Sequence, residues 1–533
     1  MSVKKGYDCI IIGGGISGLY VAYQLLKSGI GQGPGTKGRV LVLEKGQRLG
    51  GRVFTFHNGM TVDAGAGRFS SSHTLVCELL RELGLWGKRV KNGTSVAHCY
   101  IKDGKSRMMT SIMDYDAMVL ETSREYDGLH WSLDMVLDLV NRIRSHGSTL
   151  PNVGLVARLL AEGALRTRES LIQQNFLSFA KSVLTAGEIE FLVGSFGYYS
   201  ELVLMNAHDC LKLMMELDPA NGFYSLAGGL SQIIEELVKR IRDMGGEIVL
   251  RREVDGIRCL SGEQYVVSGV GPRGGEFSYS SNKVVCAVTK VDLMRWALFR
   301  PLAGFLSGLV SAPLCRVYAR YPVGREGVWF KGLCKLTVNN ELRMVIPISE
   351  REGVIMITYT DNRFADYWKG VFDRGGEAGL NRRIRVLIRA ALGMEIPDAE
   401  EIQLFYWRRG VGYWGVGIDS AEVSQNIIQP FFTPLKIYNG TPLAKQSVPL
   451  EIQGQQLPIN ELNGTPPLAA CPISNLHQCK RRLSVKGKKG DNDGHKGIFV
   501  CGENFSENHQ QWMEGSLETG ARVVERIRAI GTL

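Results

Sequence analysis

The stretch "YDCIIIGGGISGLYVAYQLLKSG", residues 7–29, decides the fold. It opens with a short apolar run, Cys9 to Ile12, of the kind that forms a buried parallel strand. Three glycines follow at G-x-G-x-x-G spacing, and apolar residues then recur at helical intervals. A strand, a glycine turn and a helix in this order predict a dinucleotide-binding unit.

The residues of this turn have separate functions in such a unit. Gly13 permits the tight turn, Gly15 lets the backbone approach a pyrophosphate, and Gly18 lets the helix pack closely on the strand. Ile16 and Ser17 lie between them, at a helix start whose unpaired N–H groups attract phosphate. We therefore expect all five residues to contact the cofactor.

The next strand, "RVLVLEK" at residues 39–45, ends in an acid. Glu44 stands where an acidic side chain can accept hydrogen bonds from both ribose hydroxyls of a dinucleotide. Its neighbour Lys45 is assigned to the same site.

The bulk composition limits the class of protein. The chain has 533 residues, 44% hydrophobic and 22% charged, which suits two or three soluble domains. No apolar run approaches the roughly 20 residues that span a bilayer, and the residues before the glycines do not form a signal peptide. We expect a cytoplasmic protein that does not enter a membrane.

The net charge of +10 is concentrated in part in "CKRRLSVKGKKG", residues 479–490. Because no aromatic residues interleave with the basic ones, we expect a solvated loop and no nucleic-acid binding, with an anionic partner as the alternative. The 11 scattered cysteines are typical of reduced thiols. Cys471, His477 and Cys479 lack a fourth ligand, so no metal site is expected.

The segment "EKGQRLGGRVFT", residues 44–55, resembles the R-x-G-G-R-x-x-T signature of the flavin-containing amine oxidase superfamily. The resemblance implies a second glycine turn near the pyrophosphate and flavin of FAD. The residues of this turn are Arg48, Gly50, Gly51 and Arg52. The resemblance also assigns to the cofactor four residues that follow the signature, Gly65, Ala66, Gly67 and Arg68.

Two further segments resemble the same superfamily. "FVCGENFSENHQQWMEGSLETG", residues 499–520, resembles its closing motif. That motif implies that Glu503 binds the ribitol of FAD and that backbone around Met513 to Leu517 reaches the flavin. These residues lie at a helix N-terminus, which stabilises the negative charge of the reduced flavin. The implied cofactor contacts here are Gly502, Glu503, Trp512, Met513, Gly515 and Ser516. The strand "EIVLRREVDGI", residues 247–257, is expected to place backbone near Val254 beside the adenine.

The stretch "VDAGAGRFSSSH", residues 62–73, resembles the L-amino acid oxidases. In these the matching arginine, here Arg68, holds the substrate carboxylate, for which a guanidinium fork is suited. The alternative is that Arg68 contacts only an FAD phosphate or an internal acid. Tyr413 and Trp414 are expected to flank the substrate amine, with core packing as the alternative, and Tyr359 to reach the carboxylate.

Two features of the sequence bear on the flavin. The segment "YWRRGVGYWGVG", residues 406–417, has no cysteine, so we expect noncovalent FAD. Many members of the superfamily carry a lysine near the flavin, whereas Leu314, Cys315 and Arg316 stand in that neighbourhood here. This departure puts reaction with oxygen in doubt, although Arg316 can supply a positive charge.

The predicted architecture is α/β, with a discontinuous Rossmann-like FAD-binding domain, a mixed-sheet substrate domain and a helical insertion. The FAD-binding domain is assigned to residues 1–70, 219–292 and 497–533, and the substrate domain to 71–114 and 293–430. Residues 115–218 are assigned to a helical domain and 431–496 to an irregular basic insertion.

The resemblance implies FAD-dependent oxidative deamination of L-amino acids to 2-oxo acids, with release of ammonia and hydrogen peroxide. The implied partners are an amino acid and molecular oxygen, and a homo-oligomer is compatible with the sequence. The alternatives are a monoamine or polyamine oxidase, a dehydrogenase with another electron acceptor, and a non-catalytic FAD-binding protein.

Overall fold

The structure is a computed structural model, and it describes most of the chain. The described residues are 6–29, 39–92, 96–109, 159, 162–163, 165–216, 222–260, 264–431 and 496–531. The basic stretch 479–490 and the trio Cys471, His477 and Cys479 lie outside them, as does much of the predicted helical domain between 110 and 158.

The strands are, in chain order, β1 Gly6–Tyr7, β2 Cys9–Ile12, β3 Val40–Leu43, β4 Thr55–Asn58, β5 Met60–Asp63, β6 Phe69–Ser70, β7 Arg89–Lys91, β8 Val96–Lys102, β9 Lys105–Met109, β10 Phe223–Leu226, β11 Glu247–Val249, β12 Glu253–Cys259, β13 Tyr265–Val270, β14 Glu276–Ser281, β15 Val284–Cys286, β16 Leu309–Arg320, β17 Lys335–Val338, β18 Met344–Ser349, β19 Val354–Asp361, β20 Glu401–Trp414 and β21 Ile498–Val500.

The α-helices are α1 Ile16–Lys27, α2 Thr74–Glu82, α3 Arg168–Ile172, α4 Phe176–Lys181, α5 Ala186–Ser195, α6 Tyr199–Leu204, α7 Ala207–Glu216, α8 Ser231–Asp243, α9 Lys290–Arg295, α10 Ala303–Ser307, α11 Asn362–Leu392, α12 Ser420–Ile427 and α13 Met513–Gly531. Short 3₁₀ turns occur at Trp86–Lys88, Pro272–Gly274, Ala297–Leu302 and Glu503–Phe505.

A five-stranded parallel sheet, in the order β11-β3-β2-β15-β21, carries the glycine turn. Its strands come from the beginning, the middle and the end of the chain, so this unit is discontinuous in sequence. Four of its strands, β2, β3, β15 and β21, are short apolar runs that are entirely buried, as expected for a sheet covered on both faces. The helices α1, α8 and α13 contribute to the core on one face. The predicted fold class is confirmed.

A seven-stranded mixed sheet, in the order β20-β16-β19-β18-β17-β8-β9, forms the second large unit. Neighbouring strands are antiparallel except β17 and β8, which run parallel. One face of this sheet packs against the long helix α11 in a shared apolar core. The other face turns toward the glycine-rich stretch after β5, where Tyr318 and Arg316 of β16 donate hydrogen bonds to the Asp63 carbonyl.

The expected single strand over residues 247–257 is wrong. The chain forms β11 in the parallel sheet, turns at Arg251 with φ at 54°, and enters a separate four-stranded sheet as β12. The reason is that Arg251 and Arg252 donate backbone hydrogen bonds to the carbonyls of Gly46 and Glu44. The break therefore ties this segment to the loop that carries Glu44.

Candidate active site

The glycine turn leaves an open space at the start of α1. A Cβ on Gly13, whose φ is +110°, would lie 2.2 Å from the Ala287 carbonyl oxygen, and one on Gly18 would lie 2.1 Å from the Gly13 oxygen. A Cβ on Gly15 would meet nothing within 4 Å. Gly15 is also the N-cap of α1, with no side-chain hydrogen bond to the helix. Open space in front of helical N–H groups fits a pyrophosphate.

Glu44 is held directly over this turn. Its two carboxylate oxygens accept hydrogen bonds from the backbone N–H of Gly14 at 2.8 Å and of Gly46 at 2.6 Å. Lys45, by contrast, extends to the surface and pairs with Asp292 at 2.8 Å. The structure thus brings Glu44 to the turn and directs Lys45 elsewhere.

The second glycine turn is joined to the C-terminal motif by a bidentate ion pair. The guanidinium of Arg52 donates to both oxygens of Glu503, at 2.7 and 2.5 Å, and the carboxylate is nearly buried. Gly65 packs against the same turn, because a Cβ there would lie 1.8 Å from the Arg52 carbonyl oxygen. Arg48 donates to the Gly51 carbonyl at 2.7 Å. The predicted cofactor residues of the second glycine turn and Glu503 of the C-terminal motif therefore lie together in the structure.

The start of α13 anchors the helix that follows Arg68. Glu514, in the first turn of α13, accepts backbone hydrogen bonds from Leu75 and Val76 of α2, both at 2.9 Å. Burial raises the pKa of Glu514 above its ordinary value. The closing motif therefore fixes the position of the stretch 62–73 as well as offering a helix N-terminus of its own. Val254, which was expected to place backbone beside the adenine, lies in the core, and its carbonyl accepts a hydrogen bond from the Trp296 indole.

Arg68 is held by aromatic rings. Its guanidinium carbon lies 4.4 Å from the ring centroid of Phe223 and 5.6 Å from that of Trp512, and these two rings stack on each other. Its Nη2 donates to the Tyr198 hydroxyl at 3.2 Å. Within the described part of the chain, no acidic side chain forms an ion pair with it. Most of its donors are therefore available to a ligand.

Tyr359 and Arg316 lie beside this group. Tyr359 packs edge-on against Tyr198, with ring centroids 5.6 Å apart, and the Arg316 guanidinium lies 4.5 Å from the Tyr359 ring. A Cβ on Gly67 would lie 2.9 Å from Arg316 Nη1. Many members of the superfamily carry a lysine in the neighbourhood of Cys315 and Arg316. Of these two residues, Arg316 faces the candidate site, whereas Cys315 lies in the core on the opposite face of the sheet.

Tyr413 and Trp414 separate in the structure. Tyr413 is buried beside the helices α3–α7, and burial together with the charge of Asp361 raises its pKa well above the ordinary value. Trp414 is fully buried in the core, where its indole donates to the Ser506 carbonyl at 2.9 Å. The expectation that Trp414 flanks the substrate is corrected to core packing.

Two acids lie behind the aromatic residues. Asp361 accepts hydrogen bonds from the backbone N–H of Tyr199 and Ser200, at 3.0 and 2.9 Å, and so caps α6. Glu201 is 4% exposed, and its Oε2 has no hydrogen-bond partner among the described residues. Burial, followed by the charge of Asp361, raises the pKa of Glu201 well above its ordinary value and so disfavours its charged form.

Sequence reasoning missed several residues of this site. Tyr198 and Phe223 carry no motif, and Trp512 was assigned to the flavin alone. The aromatic character of "GFYSL" and "QQWME" is the available signal, but spacing does not show that both segments meet Arg68.

A family model for flavin-containing amine oxidoreductases matches residues 16–325, which is more than half of the chain. The chain belongs to this family. Its cofactor is accordingly FAD, which the open space at Gly15, the carboxylate of Glu44 and the N-terminus of α13 fit.

The curated relatives that the chain resembles include both amine oxidases and L-amino acid oxidases. The flavin-containing amine oxidase of Oncorhynchus mykiss is 35% identical over 108 residues, 20% of this chain and 19% of that protein. The L-amino acid oxidase of Cerastes cerastes is 33% identical over 102 residues, 19% of this chain and 18% of that protein. The chain thus matches about a fifth of the length of these relatives.

Solved structures of the family share the fold over nearly the whole chain. Putrescine oxidase bound to putrescine and the cyclohexylamine oxidase of Brevibacterium oxydans each align with a TM-score of 0.61 at 16% identity. Each alignment covers 98% of this chain and 99% of the other. At this identity the likeness shows the fold alone.

Neither a membrane-spanning helix nor a metal-binding cluster occurs among the described residues. None of their helices combines the length and apolar character needed to cross a bilayer. Among the same residues, no group of three or more His, Cys, Asp or Glu side chains is arranged to hold a metal ion.

Proposed function

We propose that this amine oxidoreductase is an L-amino acid oxidase, in which Arg68 binds the substrate α-carboxylate. The observation that carries the proposal is a half-buried guanidinium with no acidic partner among the described residues. The alternative that Arg68 serves an internal acid lacks support among the described residues, where its hydrogen-bond partner is the Tyr198 hydroxyl. A carboxylate would complete its charge with two parallel hydrogen bonds.

The residues of the chain bind and orient the substrate. Phe223 and Trp512 hold the guanidinium plane, while Tyr198 fixes its rotation. A fixed carboxylate limits the positions open to the Cα–H bond, which is the main requirement for hydride loss. The buried Tyr413 is proposed to border the amine and to exclude water.

FAD, proposed to be noncovalent and to be held by the glycine turn, Glu44 and the start of α13, would supply the hydride acceptor for the Cα–H bond and the route by which oxygen is reduced to hydrogen peroxide. The substrate loses one hydride and one N–H proton and becomes an imino acid. Water then hydrolyses this product to a 2-oxo acid and ammonia. Arg316 supplies a fixed positive charge beside Tyr359 at the candidate site. Because an arginine keeps its proton at neutral pH, Arg316 does not act as a base.

The proposal is tested by comparing amino acids with the amines that have the same side chains. We expect one or more of the twenty L-amino acids to bleach the bound flavin anaerobically, and the matching decarboxylated amine to leave it oxidised. Peroxide release, with a dye acceptor in parallel, then identifies the electron acceptor. Bleaching by amines alone would show an amine oxidase, and no bleaching by either class would show a non-catalytic flavoprotein.

Tyr198→Phe tests the hydrogen bond to Arg68. A hydrogen bond to a charged group contributes about 1.5–3 kcal/mol, so KM for the amino acid should rise roughly 10- to 100-fold while kcat changes little. Steady-state kinetics measure the split. Tyr367→Phe is the matched control, since that tyrosine lies on α11 and bonds Arg383. Equal KM values for the Tyr198 variant and the wild type would contradict a positioning role.

A further inference from the structure

Lys335 is a half-buried lysine that the proposed mechanism does not use. It is the first residue of β17, inside the seven-stranded sheet. Within the described part of the chain, its ammonium group has neither a hydrogen bond nor an ion pair. Burial and the positive charge of Arg68 lower its pKa to about 7. An unpaired cation in such a place is costly unless an anion joins it.

The register of the sheet places Lys335 on the face that carries the candidate site. Leu336 pairs with Val345, so Lys335 lies opposite Ile346. Leu336 and Val345 belong to the core against α11, and side chains alternate along a strand. Lys335 therefore shares the opposite face with Ile346, which packs in the same cluster as Tyr359.

Three basic side chains lie at this face of the sheet. Arg68 and Lys335 lie close enough for the charge of one to depress the pKa of the other. Arg316 adds a third cation, opposite Tyr359 in the sheet register. Glu201 is an acid near Arg68 that would favour a cationic substrate, but it is almost fully buried, and burial raises its pKa well above the ordinary value, which disfavours the charged form. A ligand here meets two half-buried cations with unused donors, Arg68 and Lys335.

We propose that Lys335 binds a second carboxylate, in the side chain of the substrate, so that the enzyme acts on dicarboxylic L-amino acids. This inference rests on the proposed function, since Arg68 is assigned the α-carboxylate. The two cations then neutralise the two acids at the ends of one small molecule.

The test compares acids with their amides, which have nearly the same shape. Anaerobic reduction of the wild-type holoenzyme is measured by stopped flow with L-glutamate against L-glutamine and with L-aspartate against L-asparagine. We expect one acid to exceed its amide by about 100-fold in kred/Kd, as a buried charge pair implies. Equal or faster reduction by the amides or by L-leucine would overturn the inference and leave the proposed function intact. Failure of every amino acid would instead overturn the proposed function.

Variants of Lys335 assign the preference to its charge. Lys335→Met should reduce the acid-to-amide ratio to within about threefold by removing the charged partner, and Lys335→Arg should retain part of it. Lys331→Met is the matched control, because Lys331 is exposed and donates a hydrogen bond to the Glu326 carbonyl in the same loop. If Lys335→Met does not fold, the acid-to-amide ratio of Lys335→Arg is compared with that of the wild type, and an identical ratio in the two proteins would contradict the assignment. An unchanged ratio in Lys335→Met would overturn the assignment.

Discussion

Arg68→Met is expected to lower kcat/KM for L-amino acids by roughly 10²–10³-fold. Removing one partner of a desolvated, hydrogen-bonded charge pair costs about 2–5 kcal/mol, equivalent to roughly 30- to 4,000-fold, and the expected loss lies in the middle of that range. Both KM and kcat should suffer, because a carboxylate that is not held leaves the Cα–H bond without a fixed direction. Arg68→Lys should lose less, since it keeps the charge and gives up only the planar fork.

The measurement is the rate of anaerobic flavin reduction against amino acid concentration, with FAD content determined for each variant. The rings of Phe223 and Trp512 can pack on methionine, so the variant should retain the fold and the cofactor. If Arg68→Met keeps full cofactor content and turns over L-amino acids within threefold of the wild type, the assignment of Arg68 to the carboxylate is wrong.

The parts of the site that were predictable are local in sequence. The glycine turn places Gly13, Gly15 and Gly18 within six consecutive residues, and a turn of this kind leaves little freedom to the residues around it. The partners of Arg68 were not predictable, because Tyr198, Phe223 and Trp512 come from three distant segments. Only the tertiary fold brings these rings to one guanidinium.

The error over Trp414 has a simple physical cause. Tyr413 and Trp414 are adjacent residues of one strand, β20, and adjacent side chains in a strand point to opposite faces. They therefore could not both border one substrate, and recognising β20 as a strand would have excluded one of them. The burial of Lys335 has no comparable sequence signal, since a lysine beginning an apolar run is equally typical of an exposed strand end.

Gly15→Ala and Gly18→Ala are expected to disable the cofactor site in different ways. At Gly18 the new methyl group would lie 2.1 Å from the Gly13 carbonyl oxygen, so the turn must deform and the apoprotein should lose about 1–3 kcal/mol of stability. At Gly15 the methyl group meets no protein atom within 4 Å, and φ is an ordinary −76°. The Gly15→Ala apoprotein should therefore melt at nearly the wild-type temperature.

The Gly15 methyl group would instead occupy the space that we assign to the pyrophosphate of FAD. We expect Kd for FAD to rise by roughly 10–100-fold, the equivalent of a similar overpacking cost in the complex. Fluorescence titration of the apoprotein with FAD measures the affinity, and thermal unfolding measures stability separately. Gly15→Ala is thus expected to lose affinity for FAD, and Gly18→Ala to lose stability. A Gly15→Ala protein that binds FAD as tightly as the wild type would show that the phosphates lie away from the start of α1. A Gly15→Ala protein that melts early would show that the space is closed in solution.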